Sequence, residues 1–178
     1  MEFTALMESR RSIRAYKAGE TIERAQLEEM VKAAQNAPSW KNSQTGRYYI
    51  ADSAEKVTAV INCLPEFNQK NCVNAVAMIV TTFVKTRAGF TREGVAENEL
   101  GEGWGAYDLG LQNSYLILKA KELGYDTLIM GLRDADALRK ELEIPEDQEV
   151  VSVISVGVRE ADAMKPKRKE VEQIAKFF

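Results

Sequence analysis

Residues 105–123, GAYDLGLQNSYLILKAKEL, read as one long helix that is apolar almost all round. Leu109, Leu111, Leu116, Ile117, Leu118, Ala120 and Leu123 leave no continuous wet face, and Gly124 suits the left-handed residue that closes a helix. Such a helix has to be buried, in the core of its own chain or against a second one. A chain of 178 residues can hardly wrap it completely, so the stretch predicts a homodimer.

On either side of this helix lie apolar runs of strand length. VAMIVTTFV at 76–84 and VVSVISVGV at 150–158 are continuous and rich in β-branched residues, the pattern of strands buried on both faces. RYYIA at 47–51 and YDTLIM at 125–130 read as two more strands. Leu27, Met30, Val31 and Ala34 follow the i, i+3, i+4, i+7 spacing of an amphipathic helix, which stops ahead of Pro38. Phe3, Leu6 and Met7 suit a short N-terminal helix; 53–64 can make a helix ending at Pro65, and Asp134 can cap one running to Leu142. Residues 85–103 are charged and glycine-containing and read as a mobile excursion with some helix. The chain end reads as a short helix carrying Val171, Ile174 and Phe178. Helices and strands mix without strict βα alternation, so the expected class is α+β. At about 150 residues per domain, one domain over residues 1–178 is expected.

The chain carries 24 Lys and Arg against 27 Asp and Glu, a formal net charge of -3, which argues against a nucleic-acid binder. No apolar run approaches the ~20 residues of a membrane span. The start, MEFTALMESRRSIR, lacks the long apolar core of a signal peptide. Cys63 and Cys72 are too few for a disulfide scaffold, so a reduced, cytoplasmic setting is expected. There is no histidine. That excludes Ser-His-Asp and Cys-His catalysis and, with only two cysteines, most catalytic zinc sites. The chemistry has to come from carboxylates, Lys, Arg, Tyr, backbone groups or a borrowed cofactor.

Several constellations could carry it. Arg10, Arg11, Ser12 and Arg14 put three guanidiniums and a hydroxyl within five residues, a clamp for phosphate or a solvated helix end. Pro38-Ser39-Trp40-Lys41-Asn42-Ser43-Gln44 offers amides, hydroxyls and an indole to a polar heterocycle, or is an ordinary Asn/Ser turn. Met130-Gly131-Leu132-Arg133-Asp134, between a strand and a helix, presents backbone N–H donors to an electron-rich ring or anion, or is a plain turn. Lys165, Lys167, Arg168 and Lys169 form a second basic cluster near the other end. The glycine-rich Gly101-Glu102-Gly103-Trp104-Gly105 is no nucleotide loop: no strand precedes it and no Walker lysine follows.

The order RRSIR at 10–14, APSWKNSQ at 37–44, a glycine-flanked apolar helix, GYDTLIMG at 124–131 and PKRK at 166–169 resembles the nitroreductase family of flavin enzymes over nearly the whole chain. The resemblance implies a three-layer α+β fold, a mostly antiparallel sheet flanked by helices, and an intertwined homodimer with FMN at the subunit interface. It implies that Arg10, Arg11, Ser12 and Arg14 hold the FMN phosphate, ribityl chain and ring edge. Pro38, Ser39, Trp40 and Asn42 match the segment that the partner chain brings to the same site, and Gln44 matches a family position close to it. Asn68 falls where a ring-contacting Asn lies, with Asn71 as a neighbouring candidate. Met130, Gly131 and Leu132 match the stretch whose backbone faces flavin N5, and Lys167 and Arg168 the C-terminal phosphate anchors, with Lys169 an alternative for either role. Thr45-Gly46-Arg47 departs from the family, where Pro-Trp commonly follows the Gln, and 85–103 falls where relatives carry a substrate cover.

The implied activity moves hydride from NAD(P)H through flavin N5 to an electron-poor acceptor (nitroaromatic, quinone or enone) in ping-pong turnover, with no catalytic side chain and no metal. It fits a chain without histidine. The alternatives are a specialised relative, such as a reductive dehalogenase or flavin-fragmenting enzyme, and a non-catalytic flavin carrier or sensor.

Overall fold

The continuous apolar runs pair with each other at the centre of the molecule. A computed structural model describes residues 2–178. Its single four-stranded sheet contains β1 (Gly46–Ala51), β2 (Ala77–Val84), β3 (Asp126–Met130) and β4 (Gln148–Gly157), antiparallel throughout, in the order β1-β2-β4-β3. One row of the register crosses the whole sheet: Tyr49, Val80, Val153 and Met130. The two β-branched runs are the central strands, covered on both faces, as their unbroken hydrophobicity requires.

Side chains alternate along the central strands, so each face receives its own core. Ala77 and Ile79 of β2 pack with Leu27, Met30 and Ala34 of α2 (Arg24–Gln35) and with Leu116 and Ala120 of α5 (Gly103–Glu122). Met78 and Val80 pack on the opposite side with Val57 and Val60 of α3 (Ala54–Asn62) and Leu138 of α6 (Ala135–Glu141). Each such fully buried aliphatic side chain contributes ~1.5–3 kcal/mol. The helix ends are set locally. Ser53 accepts from the Lys56 N–H, Asp134 accepts from the Ala137 N–H, and Gly124, at φ 93°, ends α5. No helix among the described residues is long and apolar enough to cross a membrane.

The structure corrects four expectations. The long helix has a core-facing stripe that is half polar: Asp108, Gln112 and Asn113 are buried beside Gly105, Leu109, Leu116 and Ala120. Those polar groups face inward because they meet partners there. Asp108 accepts from the Trp40 N–H, Gln112 Oε1 from the Tyr48 hydroxyl, and Asn113 donates to Thr81 Oγ1. Apolar side chains are displaced to the opposite side, where Tyr107 is 59% and Tyr115 43% exposed. Residues 85–102 contain no helix; they are turns joined by a Phe90–Ala96 pairing. A short helix, α4 (Glu66–Asn71), follows Pro65 directly where none was expected. The expected C-terminal helix is only a 3-10 turn over Val171–Gln173, since no face of it is covered.

Candidate functional site

A short N-terminal helix, the first α-element (Phe3–Ser9), delivers the basic segment to the edge of β3. Ser12 pairs with Thr127 and the Ile13 N–H donates to Thr127 O at 3.0 Å. The segment then crosses to the continuation of β4, with Lys17 N–H donating to Val158 O at 2.9 Å and Glu160 N–H to Ala15 O at 3.0 Å. A buried charge group fixes this crossing. Asp126, its side chain 2% exposed, accepts from Arg159 Nε at 2.7 Å and Nη2 at 2.5 Å and from Lys121 Nζ at 3.2 Å. Arg159 Nη2 also donates to Ser9 O at 3.3 Å, one residue before Arg10. Burial raises the Asp126 carboxyl, but hydrogen bonds from Arg159 and Lys121 outweigh it and leave the group below its usual pKa.

At this edge the two basic clusters meet. Burial lowers the pKa of the Arg10 guanidinium, and the neighbouring charges of Arg11 and Arg168 lower it further. Arg11 Nη1 donates to Glu8 O and Arg10 O, while its Nε is buried with no partner among the described residues. Ser12 and Arg14 are exposed, Arg14 reaching only Ser12 O at 3.5 Å. Lys167 and Arg168 are exposed and enter no ion pair among the described residues.

The turn after β3 lies on the same side of the sheet order. Asn68 Nδ2 donates to Leu132 O at 3.1 Å, and Arg133 Nη1 to Gly131 O at 2.9 Å, its other guanidinium nitrogen holding Val150 O. Two successive carbonyls are thus tied, which fixes the peptide planes. The N–H groups of Gly131, Leu132 and Arg133 donate to nothing among the described residues. A side chain at Gly131 would meet only open space, and Leu132 is 65% exposed. Met130 is buried, its sulfur 3.6 Å from Cys72 Sγ; Asn71 is half-buried at the last residue of α4.

The second polar loop stands elsewhere. Ser39 Oγ accepts from the Gln44 N–H at 3.1 Å, and the Trp40 N–H donates to Asp108 Oδ2 at 2.8 Å. Burial raises the Asp108 pKa, opposed by that bond. Lys41, Asn42 and Gln44 all adopt positive φ, at 45°, 55° and 49°. Each such residue costs of order ~1–3 kcal/mol, and strain of this kind gathers at functional sites. Trp40 Nε1, Ser43 Oγ and Thr45 Oγ1 are buried with no hydrogen-bond partner among the described residues. Pro38 is exposed.

These two groups flank opposite edges of the sheet. The 38–44 loop leads into β1, whereas Arg10–Arg14 and Gly131–Leu132 border β3, with β2 and β4 between. At the usual strand spacing that is a separation of about 14 Å. The fold therefore brings Arg10, Arg11, Ser12, Arg14 and Arg168 to one edge, joins Asn68 to the Met130–Leu132 turn there, and keeps Pro38, Ser39, Trp40, Asn42 and Gln44 apart from them. A groove of about 730 Å³ between α2 and β1 takes in only Gln44 of these residues. Arg133, Asp108 and Arg159 were not singled out as site residues from the sequence. Arg133 stood in the quoted turn, but its inward reach to Gly131 and Val150 has no sequence signal.

The geometry agrees with what the chain is related to. The nitroreductase family model matches residues 7–158, and the chain belongs to the nitroreductase family. Two proteins of Bacillus subtilis (strain 168), provisionally named NAD(P)H nitroreductases, are similar along their whole length. MhqN is 28% identical, covering 99% of both chains; YdgI is 24% identical, covering 99% of this chain and 97% of its own. Among solved structures, a provisionally assigned nitroreductase from Exiguobacterium sibiricum 255-15, crystallised in complex with FMN, superposes with a TM-score of 0.88 at 23% identity, covering 100% and 98% of the two chains. A nitroreductase family protein from Streptococcus pneumoniae TIGR4 gives 0.87 at 18% identity, covering 99% and 100%. At these identities the structures establish the fold.

Proposed function

We propose that the chain is an FMN-dependent oxidoreductase that takes hydride from NAD(P)H and passes it to an electron-poor acceptor, acting as a homodimer whose two sites are each shared between both copies. The observation that carries this reading is the separation of the two residue groups across the sheet. Neither group surrounds a ligand alone; two copies placed edge to loop would complete each other. The exposed Tyr107 and Tyr115 of α5, and a tail ending in Phe177 and Phe178 at 87% and 114% exposure, supply apolar surface for an intertwined partner to cover.

The residues at the β3 edge suit FMN. Arg11 and Arg168 both repel Arg10, and the group calls for a polyanion, which a phosphate supplies. The free N–H groups at Gly131–Arg133 suit the electron-rich edge of a flavin ring, their planes held by Asn68 and Arg133. When bound, FMN supplies the hydride chemistry, and the protein binds, orients and excludes water. The 38–44 loop of the second copy would close the site with Trp40, Asn42 and Gln44. No side chain serves as nucleophile, and protons come from water. NAD(P)H and the acceptor share one place in turn, which makes the turnover ping-pong. Nitroaromatics, quinones and enones are the acceptor classes. One FMN-binding domain spans residues 1–178, and the free thiols of Cys63 and Cys72 fit a reducing cytoplasmic setting.

The test is optical. Purified protein supplied with FMN is expected to show a bound-flavin spectrum that bleaches on anaerobic addition of NADH or NADPH and recovers on adding menadione or a nitrofuran. Steady-state lines at several acceptor concentrations should run parallel. Flavin that stays oxidised under both donors would support a carrier instead and defeat the enzyme reading.

A further inference from the structure

We propose that Arg133 is a positioning residue that acts by charge: from behind the turn after β3, its guanidinium aims the Leu132 N–H out of the turn and balances the negative charge that a flavin gains on reduction. The proposal rests on the flavin-enzyme reading above and assigns one side chain of this protein to the control of the flavin's reduction potential.

The side chain folds back on its own turn. Arg133 Nη1 donates to Gly131 O at 2.9 Å and Nη2 to Val150 O of β4. In a trans peptide the carbonyl and the following N–H point in opposite directions. With Gly131 O drawn toward the guanidinium, the Leu132 N–H points away from it, and it donates to nothing among the described residues. Guanidinium, carbonyl and N–H therefore lie in series with the positive end outward, and a cation on the carbonyl strengthens the N–H as a donor. The rest of the turn is braced too. Asn68 Nδ2 donates to Leu132 O at 3.1 Å and the Asp134 N–H to Cys63 O at 2.9 Å. The space in front stays open, since a Cβ at Gly131 would have nothing within 4 Å.

The charge itself has no counter-ion. Arg133 enters no ion pair among the described residues, and both groups that it bonds are neutral carbonyls. The neighbouring Asp134 carboxylate is taken up by the Ala137 N–H at 2.9 Å. Arg133 Nε is buried with no partner among the described residues. Arg159 at the same sheet edge is the contrast, neutralised by Asp126 and Asp162. A half-buried cation held by carbonyls alone carries a desolvation cost that an anion would offset. Hydride transfer supplies that anion. A C–H bond of the nicotinamide breaks and an N–H bond forms at flavin N5, so two electrons and one proton arrive together. The nicotinamide leaves as a cation, and the neutral oxidised ring gains one negative charge, which it loses again when hydride passes to the acceptor. Arg133 favours the reduced ring over the oxidised one for that reason.

A titration of the bound FMN against reference dyes reads its midpoint potential without any turnover. Arg133→Met and Arg133→Gln should hold reduced flavin about tenfold less tightly relative to oxidised flavin, the low end for removing a charge beside a titrating group. For a two-electron couple that is a fall of about 30 mV. Arg133→Lys keeps the charge and loses the planar fork, and its potential should stay close to that of the unaltered protein. A potential unmoved in R133M and R133Q overturns the proposal by leaving Arg133 to the fold alone. A fall as large in R133K as in R133M overturns it by making the role one of shape. NADH and NADPH added anaerobically to the same samples keep the two readings apart. Flavin that bleaches although the potentials agree defeats the role of Arg133 and leaves the oxidoreductase reading standing. Potentials that shift as expected, with flavin that neither donor reduces, support the role of the Arg133 charge and defeat the oxidoreductase reading. A protein that binds no FMN defeats both.

Discussion

Replacing Arg10 and Arg168 together with alanine is expected to weaken FMN binding by about two to four orders of magnitude, since a charge-assisted hydrogen bond contributes ~1.5–3 kcal/mol. The flavin-free protein should respond in the opposite direction. Burial and the charges of Arg11 and Arg168 already work against the Arg10 guanidinium, so deleting these cations relieves repulsion. The melting temperature without flavin should hold or rise slightly, while the stabilisation conferred by added FMN disappears. Fluorescence titration with FMN and melts with and without it measure both. Unchanged affinity, or an equal loss of stability with and without flavin, would mean that these side chains serve the fold and not a phosphate.

Asp126→Ala is expected to be the most damaging single change away from the flavin-facing residues. It strips Arg159 and Lys121 of their shared carboxylate in a buried place, and breaking such a group costs about 3–5 kcal/mol. Because Arg159 also holds Ser9 O, the basic segment loses its footing and flavin affinity falls with stability. Adding Arg159→Met to the variant should recover part of the stability, since it removes the stranded charge, but not the flavin affinity. The pH dependence has a definite sign. The folded-state pKa of Asp126 lies below the ordinary value, so its contribution is present above an unfolded pKa of about 3.9 and is lost as the pH falls through the lower folded value. Denaturant melts between pH 7 and 2 should therefore show a gap between the unaltered protein and D126A that holds down to about pH 4 and narrows below it. A constant gap across that range would assign the loss to packing.

The sheet was legible because its signal is local. The runs at 76–84 and 150–158 are β-branched without interruption, and they became the two central strands. The long helix was legible in extent but not in orientation. In the sequence its apolar residues leave no face wet, whereas Asp108, Gln112 and Asn113 turn inward to meet Trp40, Tyr48 and Thr81, partners 32 to 68 residues away in the chain. Helix α4 was hidden by its brevity: six residues after a proline carry too little periodicity to register. At the site, residue types were readable and adjacency was not. Arg10 and Arg168 each sat in a visible basic cluster, but that the clusters meet depends on how both chain ends lie against β3. The positive φ of Lys41 and Gln44 had no signal, because neither is glycine or asparagine; Asn42 alone is of a type that tolerates it.

The most direct measurement of the central claim is complementation between two defective chains. One carries Arg10→Ala and Arg168→Ala, the other Trp40→Ala and Asn42→Ala, so that each lacks one of the two groups. Alone, each should be nearly devoid of bound flavin and of NAD(P)H-dependent turnover. Co-expressed, the mixed dimer joins the intact β3 edge of one chain to the intact loop of the other. With random pairing, half of the dimers are mixed and each has one whole site, so about a quarter of the normal flavin content and turnover should return. Co-expressed chains that stay as inactive as either parent would contradict a site shared between two copies.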